Sequence, residues 1–194
     1  MLNRKGGAGK TTLTVNVAAV LAETRPVLLV DADAQGSAFR WRGRVEAVHL
    51  PDPERLANLL ARATPGAVFV VDGPPHDEAA NLAAWQAADV VAVPVTPSLL
   101  DVDAARPLLE ALAQGVRKGL AVLSLVDGRS LARVEVRRVL GGLGVPVAEA
   151  ELARRVAHVD AVAARRAVTE YEPAGKAAHE VRAVAGELAR LLEG

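Results

Sequence analysis

Residues 5–12 read Lys5-Gly6-Gly7-Ala8-Gly9-Lys10-Thr11-Thr12, and no other stretch limits the possible folds as tightly. Glycines let successive backbone N–H groups curl around an anion, and a helix starting just after them aims its positive end at the same place. Lysine followed by threonine supplies a cation for phosphate oxygens and a hydroxyl for a hard metal ion. Such a loop works where a strand hands over to a helix, so it implies a layered α/β fold. Only four of the 23 lysines and arginines are lysines, and two of those four, Lys5 and Lys10, lie in this loop. A simple glycine turn would need neither.

The remaining sequence agrees. Strand-like runs alternate with helical patterns, as in βαβ units around a parallel sheet. Val27–Val30 and Val68–Val71 are apolar runs that end in Asp31 and Asp72, and Val90–Val95 and Ala121–Val126 are further strands. Val45–Leu50 alternates weakly. Helices are expected over Thr11–Glu23, from Pro53 with Asp52 as N-cap, and over Glu78–Ala87, Asp101–Gln114, Ser130–Leu140, Glu151–Ala167 and Ala174–Leu192. With no linker, repeat or low-complexity stretch in 194 residues, one domain over 1–194 is expected. The fold class is α/β, three layers with a mostly parallel central sheet. A loop of this type ordinarily follows a full buried strand, yet only Met1 and Leu2 precede Asn3, so the first strand reads as truncated and the start as assigned too late.

Composition removes some classes. There is no cysteine, which excludes disulfides, thiolate metal sites and iron–sulfur ligation. Formal net charge is zero, so nucleic-acid binding would need a local basic face. No apolar run is of bilayer length and no signal segment opens the chain, so a cytoplasmic location is expected.

The standard P-loop has glycine six residues before its lysine. Here Arg4 stands there, and Lys5 follows as a second lysine. This loop resembles the deviant Walker-A ATPases of the ParA/MinD family, and with it the P-loop NTPase fold. The resemblance implies that Gly6, Gly7, Ala8, Gly9, Lys10, Thr11 and Thr12 bind ATP, and that Lys5 crosses an ATP-sandwich homodimer to the partner's phosphates. Asp31-Ala32-Asp33-Ala34-Gln35-Gly36 resembles the family's Asp-x-Asp-Pro-Gln-Gly switch, with Ala34 in place of proline. By that resemblance Asp33 positions the attacking water, and Asp31 supports Mg²⁺ together with Thr11 and Asp72. Without it, the two carboxylates would read as caps of a strand-to-helix turn. Asp72-Gly73-Pro74-Pro75 resembles a Walker-B element. Val93–Ser98 with Asp101 resembles a dimer-face loop, although a proline-stiffened strand exit reads equally from the residues alone.

The final third resembles small ParA partition proteins, with Tyr171 and Pro173 placed by that likeness near the adenine. Between Leu131 and Arg166 there are seven arginines against four acids. Arg133, Arg137, Arg138, Arg165 and Arg166 are therefore candidates for non-specific DNA contact, and an ion-paired helix surface is the competing reading. The expectation that follows is a slow, Mg²⁺-dependent, nucleoid-associated ATPase of plasmid or chromosome partition. It would work as an ATP-dependent homodimer on DNA, stimulated by a small centromere-binding adaptor. The rivals are MinD-like action at a membrane, which the acidic end Glu187–Gly194 disfavours, and the same ATPase positioning a non-DNA cargo. A small-molecule ligase or kinase on this fold is disfavoured by Lys5.

Overall fold

A computed structural model describes every residue except Arg4, Pro65 and His76. Among the described residues five strands carry the architecture: β1 (Val27–Asp31), β2 (Glu46–His49), β3 (Val68–Asp72), β4 (Val90–Val95) and β5 (Lys118–Leu123). All of their pairings are parallel. They form two hydrogen-bonded groups, β2-β1-β3 and β4-β5. Register brings the two strand-end carboxylates together, with Asp31 opposite Asp72.

Strand alternation divides the core into two faces. Leu29, Ala92 and Val122 face one apolar cluster with α1 (Lys10–Leu21) and α9 (Lys176–Glu193). Val30, Val91, Val93 and Leu123 face the other. That second cluster takes in α3 (Pro53–Leu60), α4 (Glu78–Ala87), α5 (Leu99–Ala113) and α6 (Ala132–Gly142). The result is the expected three-layer α/β/α arrangement. Helix α1 is buried on nearly every side, so it reads as apolar throughout rather than as a stripe. Its one deeply buried amide is satisfied: Asn16 donates to the Thr12 carbonyl (2.7 Å) and accepts from the Val168 N–H (2.7 Å).

Between the two strand groups lies the start of the chain. The Met1 ammonium donates to the Val71 carbonyl (2.7 Å), and the Met1 carbonyl accepts from Gly73 N–H (3.2 Å). Leu2 N–H donates to the Ala92 carbonyl (3.0 Å), and Asn3 Nδ2 to the Pro94 carbonyl (2.7 Å). These hydrogen bonds link β3 to β4 through the first three residues. Behind them is an apolar cavity of about 180 Å³ lined by Val17, Phe69, Ala84, Val90 and Leu188, among others.

Two expectations need correcting. The fifth strand begins at Lys118, not Ala121, because Gly119 permits close approach: a Cβ there would lie 2.1 Å from the Val91 carbonyl oxygen. The helix expected over Glu151–Ala167 is confined to α7 (Val156–Ala163). Residues before it run parallel to β5 instead, with bridges Ala121–Val147 and Val126–Ala153. The next helix, α8, is Val168–Tyr171. The short α2 (Ser37–Trp41) carried no sequence signal strong enough to be read.

Candidate functional site

The glycine-rich loop lies at the carboxyl ends of the strands, where ligands bind in open α/β sheets. Gly7 and Gly9 hold left-handed φ values of 79° and 85°, and Gly9 is the N-cap of α1. Ala8 is buried, and its carbonyl accepts the Ser124 hydroxyl (2.7 Å), which pins the loop to the end of β5. No acid occupies the first turn of α1, so its positive end is left for an outside anion.

Lys10, the first residue of α1, is buried, and its Nζ donates to the Lys5 carbonyl (3.1 Å). Burial pushes its pKa down, partly offset by the charges of Asp72 and Asp33. Asp72 closes β3 and accepts from Thr11 Oγ1 (2.8 Å) and Thr14 Oγ1 (2.9 Å). Burial raises the pKa of its carboxyl to about 6. A hydroxyl and a buried carboxylate in contact are an oxygen-only donor pair, the chemistry that suits Mg²⁺ completed by phosphate oxygens and water. Among the described residues no cluster of three histidines or acids could hold a metal by itself. Gly73, where threonine is common in the resembled motif, has a local reason: a Cβ there would lie 2.5 Å from the Leu2 side chain.

Asp31 is fully buried, and both oxygens accept backbone N–H groups, from Asp33 (3.0 Å) and Phe39 (2.8 Å). Here it caps the strand-to-helix turn. Asp33 is half-buried and accepts from Gln35 N–H (2.9 Å). Lys5 reaches sideways to an ion pair with the buried Asp101 in the first turn of α5. A cleft of about 440 Å³ opens between Lys5, Gly6, Thr96, Asp101, Asp127 and Arg154. A second, of about 190 Å³, is bounded by Gly9, Thr12, Ser124, Arg154, His158 and Val162.

The chain matches the nucleotide-binding domain model of the CobQ/CobB/MinD/ParA group over residues 1–168. It belongs to this family. It is 39% identical to "Maintenance of carboxysome distribution protein A" of Gloeobacter kilaueensis, over 98% of this chain and 93% of that one. It is 30% identical to the "Chromosome-partitioning ATPase Soj" of Thermus thermophilus, over 100% and 96%. In fold it is similar to the septum site-determining protein MinD of Pyrococcus horikoshii, solved with Mg-ADP. The TM-score is 0.78 and the identity 18%, over 98% of this chain and 95% of that one.

As in the ParA/MinD reading, the structure gathers Lys5 to Thr12, Asp31, Asp33 and Asp72 at one edge of the sheet. It does not bring Tyr171 and Pro173 there. Tyr171 ends α8, exposed, and the Pro173 carbonyl accepts from Arg182 (2.7 Å). The clefts beside the loop are lined instead by Arg154 and His158. Both ring nitrogens of His158 are buried without a hydrogen-bond partner among the described residues. Arg154 is one of the seven arginines between Leu131 and Arg166, and His158 carries no signal for a site in the sequence, where it reads as structural. Of the arginines considered for DNA, Arg133 and Arg137 share Glu151 (3.1 and 2.9 Å), and Arg138 pairs with Glu135 (2.6 Å). Those three follow the ion-paired reading. Arg165 and Arg166 are exposed at the end of α7, apart from α6.

Proposed function

We propose that this chain, acting as one domain over residues 1–194, is a Mg²⁺-dependent ATPase whose nucleotide state positions a large protein assembly in the cell. One observation carries the ATPase: Lys10 and the Thr11–Asp72 pair converge on the mouth of a glycine loop that opens the central helix. The backbone from Gly6 to Gly9, with Thr12, cradles phosphate oxygens, and Lys10 neutralises the β- and γ-phosphates. Thr11 and Asp72 hold Mg²⁺, which supplies further charge neutralisation when bound. Asp33, with a side chain freer than that of Asp31, orients water for attack on the γ-phosphorus. Lys5 serves the partner's site in an ATP-bound homodimer. The base end of the nucleotide lies by Gly9, Thr12 and Arg154, not by Tyr171.

The choice of cargo is supported by the 39% identical relative, whose name specifies carboxysome distribution. Partition of DNA, with a centromere-binding adaptor, is the second reading and is supported by the Soj relative. The paired state of Arg133, Arg137 and Arg138 weakens a DNA face on α6 but leaves Arg165 and Arg166 available.

Phosphate release from Mg-ATP is the first test. Lys10→Ala should fall to background. Asp33→Ala should keep ATP binding and lose about a hundredfold in turnover. Undiminished release in both variants would refute the assignment. For the cargo, deletion of the gene should cluster a protein assembly without raising DNA loss at division; DNA loss with normal assemblies would favour partition. Random-sequence duplex binding with Mg-ATP but not Mg-ADP, weakened by salt, would give either cargo a DNA track.

A further inference from the structure

Asp101 is 2% exposed, and each of its oxygens has a partner. One accepts the Thr96 hydroxyl (2.5 Å), and the other accepts Lys5 Nζ. Lys5 itself is 45% exposed and is therefore the movable member of the pair. Its backbone is tied to the same region, since Lys5 N–H donates to Asn3 Oδ1 (2.9 Å) while Asn3 Nδ2 holds the Pro94 carbonyl (2.7 Å) at the end of β4. The lysine thus lies along the β4–α5 connection of its own subunit.

We infer that Asp101 is a positioning residue that parks Lys5 within its own subunit, so that ATP-driven dimerisation must first break this pair. The inference rests on the proposed role of Lys5 across the dimer. When Lys5 leaves, a buried carboxylate retains only the Thr96 hydroxyl, and that loss opposes dimerisation. The pair sets a threshold: without bound triphosphate to receive Lys5, nothing compensates for its departure. Because the lysine is half exposed, the effect is modest. Thr96 belongs to the same device, because its hydroxyl is what makes the departure of Lys5 tolerable.

The two ends of this network therefore act in opposite directions. Asp101→Asn keeps an acceptor for Thr96 and removes the charge that retains Lys5. Thr96→Val removes the remaining partner and leaves the carboxylate wholly dependent on Lys5. Sedimentation of the full chain with Mg²⁺ and a non-hydrolysed ATP analogue measures the dimer dissociation constant. Asp101→Asn should lower it about two- to fivefold, and Thr96→Val should raise it by a similar factor. A shift in the same direction for both, or none in either, would overturn the inference. Thr96→Val is the smaller perturbation and decides the matter if Asp101→Asn fails to fold: its dimer constant must rise. Lys5→Ala separates the two levels. If it dimerises like the parent, the role of Lys5 across the dimer fails and the threshold with it. If it does not dimerise while both other variants match the parent, only the threshold fails.

Discussion

Gly9 carries two constraints where Gly7 carries one. Both sit at positive φ, where a side chain is strained by roughly 1–3 kcal/mol. Around Gly7 a Cβ would meet nothing within 4 Å, whereas at Gly9 it would lie 3.3 Å from Ser124 Oγ, the hydroxyl that pins the loop. Gly9→Ala should therefore destabilise more than Gly7→Ala and loosen the Ser124–Ala8 bond as well. Urea unfolding of the two variants checks the order, and equal midpoints would contradict it. His158 gives a prediction in pH. Burial lowers its folded-state pKa below the ordinary 6.5, so below pH 6.5 the unfolded chain takes up a proton that the folded ring resists. Stability conferred by neutral His158 is present above pH 6.5 and is lost as pH falls through that value. His158→Leu removes this dependence. The variant's stability relative to the parent should grow between pH 7.5 and pH 5.5. A constant difference would mean that the ring is not held neutral. Asp72, which titrates in the same window, is common to both proteins and cancels in the comparison.

Elements were legible where local chemistry and tertiary demand agree. Pro53 at the first helical position with Asp52 before it announced α3, and Asp52 indeed accepts from Arg55 N–H at 2.8 Å. Asp52→Ala should cost about 1 kcal/mol, read from the urea midpoint. No change would mean that solvent satisfies the freed N–H equally well. The glycine loop and the strand-end positions of Asp31 and Asp72 were legible from local pattern, although the pattern left Asp31 two uses, as a metal support or as the cap of the turn that it forms. Residues 151–155, expected to open the helix over Glu151–Ala167, were not. That pattern is overridden by backbone partners in and just after β5: Leu152 N–H to the Leu123 carbonyl (2.9 Å) and Val126 N–H to the Leu152 carbonyl (3.0 Å). Such pairing has no local signature. Contacts across the fold were equally invisible, among them Lys5–Asp101 and Trp41 Nε1 to the Arg166 carbonyl (2.7 Å). Tyr171 and Pro173, placed near the base by likeness, line neither of the two clefts beside the loop, and the start of α8 is tied instead to Asn16 of α1.

At the scale of the molecule, β3 and β4 are not paired with each other, and among the described residues Met1 to Asn3 hydrogen-bond to both sides. The Met1 ammonium is buried there, and that burial pushes its pKa down to about 6. Along Val68–Val71 and Val90–Ala92 the facing strand edges border an apolar cavity of about 180 Å³. Four residues at about 3.3 Å each would span that length. Four valines or isoleucines fused ahead of Met1 would run parallel to both neighbours and carry the terminal charge out to solvent. Each buried side chain contributes about 1.5–3 kcal/mol, against about 1–2 kcal/mol of ordering entropy per residue. The net gain, on the order of 2 kcal/mol, corresponds to a rise of about 4–8 °C in melting temperature for a chain of this size. A Gly-Ser extension of equal length relieves the buried charge but leaves the cavity, so it should gain less. Amide exchange along Val68–Val71 and Val90–Ala92 should slow only with the apolar extension. Equal melting temperatures and equal exchange for the two extensions would mean that the cavity does not accept a strand.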